Sequence, residues 1–236
     1  MVQNTIRGFL QQPSTKSIAY RFGLALSQHR ASSAISADQV IDCWKCNHKH
    51  TCELFCPVCN SVQCTNCTTK KLDYFQVLKK EATFDLSAAS IKQYYLKLQT
   101  HLHPDRYASR SQLEQDYSNT QSALVNLAYK TLSDPLKRGL YLLSLHGYGL
   151  DSEKVESSDS KLLNEIFMLN FEVDECDDKD EMKDLDLQVN KAIEIELKEI
   201  SEAFQHEQYE MAREALIRLK YRTNVKIKIE DKLFEM

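Results

Sequence analysis

Residues 87–105 read SAASIKQYYLKLQTHLHPD, and this stretch decides the architecture. Ile91, Tyr94, Tyr95, Leu98 and Leu102 recur at the spacing of one helical face, and Ser87 is placed to cap the first turn. Pro104 cannot continue a helix, so His103-Pro104-Asp105 becomes a connecting loop. No acid occurs between Asp85 and Asp105, while Lys92 and Lys97 do, so the polar face is positive in a chain of net charge −4. Upstream, Tyr74, Phe75, Val77 and Leu78 predict a short first helix. Downstream, a third helix is expected from Gln112 to Leu132, with Leu113, Tyr117, Thr120, Leu124, Leu127 and Ala128 inward. Ser133-Asp134-Pro135 reads as a stop, an N-cap and the first position of a fourth helix that ends at Gly147.

The rest of the chain is compatible with helices and little else. Its 236 residues include only 5 Gly and 4 Pro, too few turn residues for a sandwich, a barrel or a Gly-rich nucleotide fold. No apolar run approaches the roughly 18 residues that cross a bilayer, so no membrane partner is expected. A net charge of −4 excludes the chain as a whole from binding nucleic acid. A Gly- and Ser-containing stretch from His146 to Ser160 marks a linker, set at 148–160. Beyond it the pattern predicts helices over about 161–175, 180–205 and 208–234. Met182, Leu185, Val189, Ile193, Leu197, Ile200 and Phe204 form the seam of the middle one. Val225 to Ile229 alternates like a strand but lacks a partner, and Val225, Ile229 and Leu233 also fit helical spacing, so it is assigned to helix. A three-helix bundle follows. Charge is segregated here, with 17 acids against 6 bases in 151–200.

Seven of the 8 cysteines lie between positions 43 and 67, in three C-x-x-C pairs (Cys43/Cys46, Cys56/Cys59, Cys64/Cys67) plus Cys52. Two such knuckles complete a tetrahedral metal site, and zinc is the expected ion. Spacing alone allows Cys43/Cys46 to combine with either later pair, and Cys52, His48 and His50 are spare donors. An odd count argues against a disulfide framework, and no βαβ context supports a thioredoxin-like site at Cys64/Cys67. Cys176 is read as an incidental helix residue. Residues 1–37 carry Arg7, Lys16, Arg21 and Arg30 with scattered serines and no acid, the composition of a mitochondrial transit peptide.

A basic helix, His-Pro-Asp in the loop and a long third helix resemble the J-domain of DnaK-type co-chaperones. Composition alone would produce His-Pro-Asp in a chain this long at a rate on the order of one per cent. The closer resemblance is to the HscB-type co-chaperone of iron–sulfur cluster biogenesis. It is carried by Asp73-Tyr74-Phe75, Leu98-Gln99, Val125-Asn126, Ala128-Tyr129, Asp134-Pro135-Leu136, Arg138-Gly139 and Tyr141-Leu142-Leu143. Glu165-Ile166, Asn170 and Leu219-Lys220-Tyr221 carry it into the C-terminal unit. Cys43-Trp44-Lys45-Cys46 and Phe55-Cys56-Pro57-Val58-Cys59 resemble the extension of animal members, which implies Cys43, Cys46, Cys56 and Cys59 as the zinc ligands.

The resemblance implies an all-α protein in which a cysteine module (38–71), a J-domain (72–147) and a three-helix domain (161–236) follow the transit peptide. It implies two partners. A mitochondrial DnaK-type chaperone would be engaged by His103, Pro104 and Asp105, with Lys92, Lys97 and Arg106 attracting its acidic surface. A cluster scaffold of the IscU type would be held by Leu163, Phe167 and Tyr221; the alternative for these three is ordinary bundle core. Asn164 stands where the family usually has an apolar residue. The expected location is the mitochondrial matrix, with the cytoplasm as a second. No nucleophile–base pair, P-loop or paired-carboxylate site is visible, so an adaptor rather than an enzyme is expected. The competing reading is a general J-domain co-chaperone that delivers unfolded polypeptides.

Overall fold

A computed structural model describes residues 40–51, 53–64, 72–149 and 159–236. The basic segment 1–37, Cys52, Cys67 and most of the linker lie outside the described residues. Two short strands open the described chain, β1 (Val40–Asp42) and β2 (Lys49–Thr51), paired antiparallel with Ile41 opposite His50. Seven helices follow among the described residues: α1 (Tyr74–Val77), α2 (Ala88–Leu102), α3 (Gln112–Leu132), α4 (Pro135–Leu145), α5 (Ser160–Glu175), α6 (Lys179–Gln205) and α7 (Tyr209–Glu235). A single 3-10 turn, Pro104–Arg106, joins α2 to α3.

The helix ends are written in the sequence. Asp73 and Gln76 close a capping box on α1, and Ser87, Ser111 and Asp134 each accept a backbone N–H three residues on. Pro135 occupies the first turn of α4, and Gly147 takes φ 84° just beyond its end, a conformation suited to glycine. The three C-terminal helices fall within two residues of their expected limits. Val225 and Ile229 are both buried on α7, the i, i+4 alternative to a strand.

Two assignments need correction. Leu113 and Leu127 are exposed on α3, as is Thr120, and the buried face instead runs through Glu114, Ser118, Gln121, Val125, Ala128 and Leu132. The reason is a second neighbour. The cysteine module lies on the first half of α3, where Gln121 Nε2 donates to the Gln63 carbonyl (2.8 Å) and Lys45 pairs with Glu114 (3.0 Å). A polar face that periodicity reads as solvated is covered by hydrogen-bonding partners. Cys176 is the C-cap of α5 rather than a helical residue; it is buried, with its thiol donating to the Asp178 carbonyl.

Two apolar clusters form. The first joins Leu54 and Val62 of the cysteine module to Phe75, Ile91, Leu102, Val125, Leu132, Leu142 and Leu143, and continues into Ile200, Ala203, Ala212 and Leu216 of α6 and α7. The second, built from Leu162, Ile166, Val173, Met182, Val189, Val225 and Ile229, seats α5 on α6 and α7. The four-helix unit α1–α4 and the bundle therefore share a core, with α4 packed on α7.

Gly139 is the closest point of that junction. A Cβ built there would lie 2.5 Å from Leu216 Cδ2. Alanine would ordinarily gain about 1 kcal/mol of helix propensity, but Leu216 is fully buried and cannot swing away. Overpacking costs about 1–3 kcal/mol. Gly139→Ala is therefore expected to lower the melting temperature by a few degrees; an unchanged or raised value would show that the Leu216 side chain repacks to admit the methyl group.

Candidate functional site

The cysteine module is two copies of one local structure. In Cys43-Trp44-Lys45-Cys46-Asn47 the Asn47 N–H bonds the Cys43 carbonyl, and in Cys56-Pro57-Val58-Cys59-Asn60 the Asn60 N–H bonds that of Cys56, both at 2.9 Å. Each asparagine takes a positive φ, 57° and 54°, a region this residue tolerates better than most. The two turns face each other and bring all four Sγ atoms within 4.8 Å of one another. Cys43 and Cys59 sulfurs are 3.6 Å apart, those of Cys46 and Cys56 3.7 Å. A tetrahedral ion with metal–sulfur bonds of about 2.3 Å needs sulfur–sulfur edges of roughly 3.8 Å. The four residues fit a metal ion.

Donors around Cys43 and Cys59 suit thiolates. Burial penalises a charged Cys43, but hydrogen bonds from Ser61 and from the Cys46 and Lys45 backbone hold it down to about 5. A backbone hydrogen bond from His48 lowers Cys46, yet burial and the three neighbouring sulfurs push it up to about 12. Cys59 is lowered chiefly by its hydrogen bond to Ser61. Cys64 stands outside the group and is disulfide-bonded.

His103 ends α2 and caps the 3-10 turn, held at φ −60°, ψ 133° as a residue before proline must be. Its Nδ1 accepts the Asp105 N–H at 3.3 Å. The side chains of His103 and Asp105 are 60% and 90% exposed. Arg106 Nη1 donates to the Thr100 carbonyl (3.3 Å), and Lys92 and Lys97 are exposed on α2. The hairpin behind the loop is fixed by polar contacts. Tyr95 stacks on Tyr129 at 4.1 Å, and the Tyr95 hydroxyl and Gln99 Nε2 both donate to Asn126 Oδ1 at 2.9 Å. Ser122 Oγ donates to Gln99 Oε1 (3.2 Å). These paired helices present the loop without involving its side chains.

On α5, Leu163 and Phe167 are exposed, Phe167 by 68%, so they are not bundle core. Tyr221 is half-buried against the second cluster. Phe171 and Met168, each 53% exposed, extend the apolar surface and were missed in the sequence, although Phe171 continues the four-residue spacing of Leu163 and Phe167. Charge fixes α5 on its neighbours. Arg222 bonds Glu165 (2.8 Å) and the buried Glu196 (3.2 Å), which also accepts from Arg218 (2.8 Å). Lys232 donates to the Val173 and Asp174 carbonyls at the other end of α5.

The family profile of the DnaJ domain matches residues 73–141, and that of the HSCB C-terminal oligomerisation domain matches residues 158–230. The human protein named iron–sulfur cluster co-chaperone protein HscB is 35% identical over 193 residues, covering 80% of either chain. A homolog from Arabidopsis thaliana is 31% identical over 179 residues, covering 76% of this chain and 69% of its own. Among solved structures, human HscB aligns with TM-score 0.75 and 33% identity over 83% of this chain and all of its own. HscB from Vibrio cholerae aligns with TM-score 0.64 and 26% identity over 70% of this chain and 99% of its own. A J-domain with an exposed His-Pro-Asp loop, joined to a C-terminal three-helix unit and preceded by a four-cysteine module, places this chain in the HscB family of iron–sulfur cluster co-chaperones.

Proposed function

We propose that the chain is an adaptor that holds an IscU-type cluster scaffold on α5 and the adjoining face of α7 while its J-domain engages a mitochondrial DnaK-type chaperone. The observation that carries this reading is that the two candidate contact regions are both exposed yet mounted on different clusters of one framework: the 103–105 loop on the first and Leu163 and Phe167 on the second. Lys92, Lys97 and Arg106 attract an acidic chaperone surface, an effect that weakens as salt screens it. His103, Pro104 and Asp105 bias the chaperone toward hydrolysis, and the chemistry belongs to that partner. Zinc fits the four-sulfur site and fixes the cysteine module. The N-terminal basic segment directs the chain to the mitochondrial matrix.

The scaffold contact is tested by exchanging Leu163 and Phe167 for alanine, with and without Tyr221→Ala. Buried anchors of this kind cost about 2 kcal/mol or more each when truncated at an interface, so affinity for purified scaffold should fall by about 100-fold or more. Circular dichroism and melting should hold for the double variant, because both side chains are exposed. Undiminished affinity would refute the contact. Binding to denatured model proteins in place of the folded scaffold would favour a general chaperone.

A further inference from the structure

A cleft of about 190 Å³ opens where the second cysteine knuckle meets the connection from α2 to α3. Lys45, Arg106 and Arg110 line it with His101, Ser61 and one acid, Glu114. Glu114 is already neutralised, paired with Lys45 at 3.0 Å and with only 11% of its side chain exposed. Among the described residues no carboxylate pairs with Arg106 or Arg110, and both are exposed. Two guanidinium groups beside a polar cleft match the planar, two-oxygen geometry of a carboxylate. Arg106 directly follows Asp105, so the cleft continues the surface of the exposed loop.

We propose that this cleft receives an acidic segment of the same chaperone that meets the His103-Pro104-Asp105 loop, and that the cysteine module thereby supplies part of the docking surface through Lys45. This rests on the chaperone-binding reading above and adds to it Lys45 and Arg110, on two different structural units. A carboxylate-bearing protein segment suits the cleft better than a nucleic acid backbone, because once Lys45 is paired with Glu114 only the Arg106 and Arg110 guanidinium groups remain unpaired in the lining, too few to match a dense polyanion. The cleft also gives the four-cysteine site a role in partner recognition, since Cys59, Asn60 and Ser61 form its wall.

The test measures the concentration of full-length protein that half-saturates stimulation of the chaperone's ATPase. The variant combines Lys45→Gln and Arg110→Gln with Glu114→Gln, which spares the protein an unpaired, largely buried carboxylate; Glu114→Gln alone is the control. Half-saturation should rise on the order of tenfold and depend less on salt, while the maximal rate is retained. Arg110→Gln alone, at an exposed site, should raise it roughly threefold and serves if the combined variant loses stability. Half-saturation unchanged in variants that remain folded, with His103→Gln inactive, overturns the cleft and leaves the chaperone reading standing. No stimulation by the unaltered protein removes both. An oligonucleotide probe that binds the unaltered protein and not the variant, with ATPase half-saturation unmoved, also overturns it.

Discussion

His103→Gln should reduce stimulation of the partner chaperone's ATPase to its basal rate, while affinity for the scaffold and the melting temperature stay where they were. The structure explains why such a separation is expected. The His103 side chain is 60% exposed and makes one internal hydrogen bond, from the Asp105 N–H, at the long distance of 3.3 Å. A glutamine oxygen can accept that same N–H. Losing an N-cap acceptor outright costs about 1 kcal/mol, and here the glutamine oxygen replaces it at an exposed site. Pro104, which fixes the extended backbone at position 103, remains in place. The Tyr95–Tyr129 stack and the Asn126 hydrogen bonds that pair α2 with α3 lie outside the loop and are untouched. What the substitution removes is the imidazole presented to a partner. Steady-state ATPase assays with purified chaperone, paired with scaffold titrations, separate the outcomes: retained stimulation would refute the assignment, and lost stimulation with lost scaffold binding would point to misfolding instead.

Much of this geometry was legible in the sequence because its signals are local. Caps at Ser87 and Asp134, the stop at Pro104 and the seams of α2 and α6 depend on residues a few positions apart. The C-x-x-C spacing also declared metal-binding knuckles, though the pairing of Cys43/Cys46 with Cys56/Cys59 needed either a resemblance or coordinates. The failures have a common cause. Glu114, Ser118 and Gln121 look like a solvated face, and only residues distant in sequence explain their burial: Lys45 for Glu114, the Leu102 carbonyl for Ser118 and Gln63 for Gln121. The continuous core linking α4 to α7 was equally hidden, since nothing local to Gly139 announces that Leu216 will lie against it. On α5 the exposure of Leu163 and Phe167 decides between core and surface, a question that periodicity alone leaves balanced.

Removing metal from the cysteine module should have the largest structural effect of any single treatment, and Trp44 should report it. Trp44 is the chain's single tryptophan; its Nε1 donates to the Val62 carbonyl at 2.7 Å and its ring meets Tyr117 edge-on at 5.9 Å. Among its described residues the module has two three-residue strands and contributes only Leu54 and Val62 to the buried part of the shared core. Those side chains are worth about 1.5–3 kcal/mol each, too little alone to order a segment this long against the entropy of its backbone. A metal ion held by the four sulfurs would close the gap, with apparent binding of about 10–16 kcal/mol in zinc-finger peptides. A strong chelator should therefore shift Trp44 emission to the red and flatten its near-ultraviolet dichroism, while helicity from α1–α7 changes little. Cys43→Ser or Cys56→Ser should do the same without chelator. Melting should fall by an amount set by α3, because losing the module exposes Glu114 and Gln121 to water they can bond, whereas Val125, Ala128 and Leu132 stay covered by the J-domain helices. Metal analysis of the untreated protein should return one zinc per chain. Trp44 emission that ignores chelation would mean that packing on α3 holds the module by itself and that the four sulfurs are not a structural metal site.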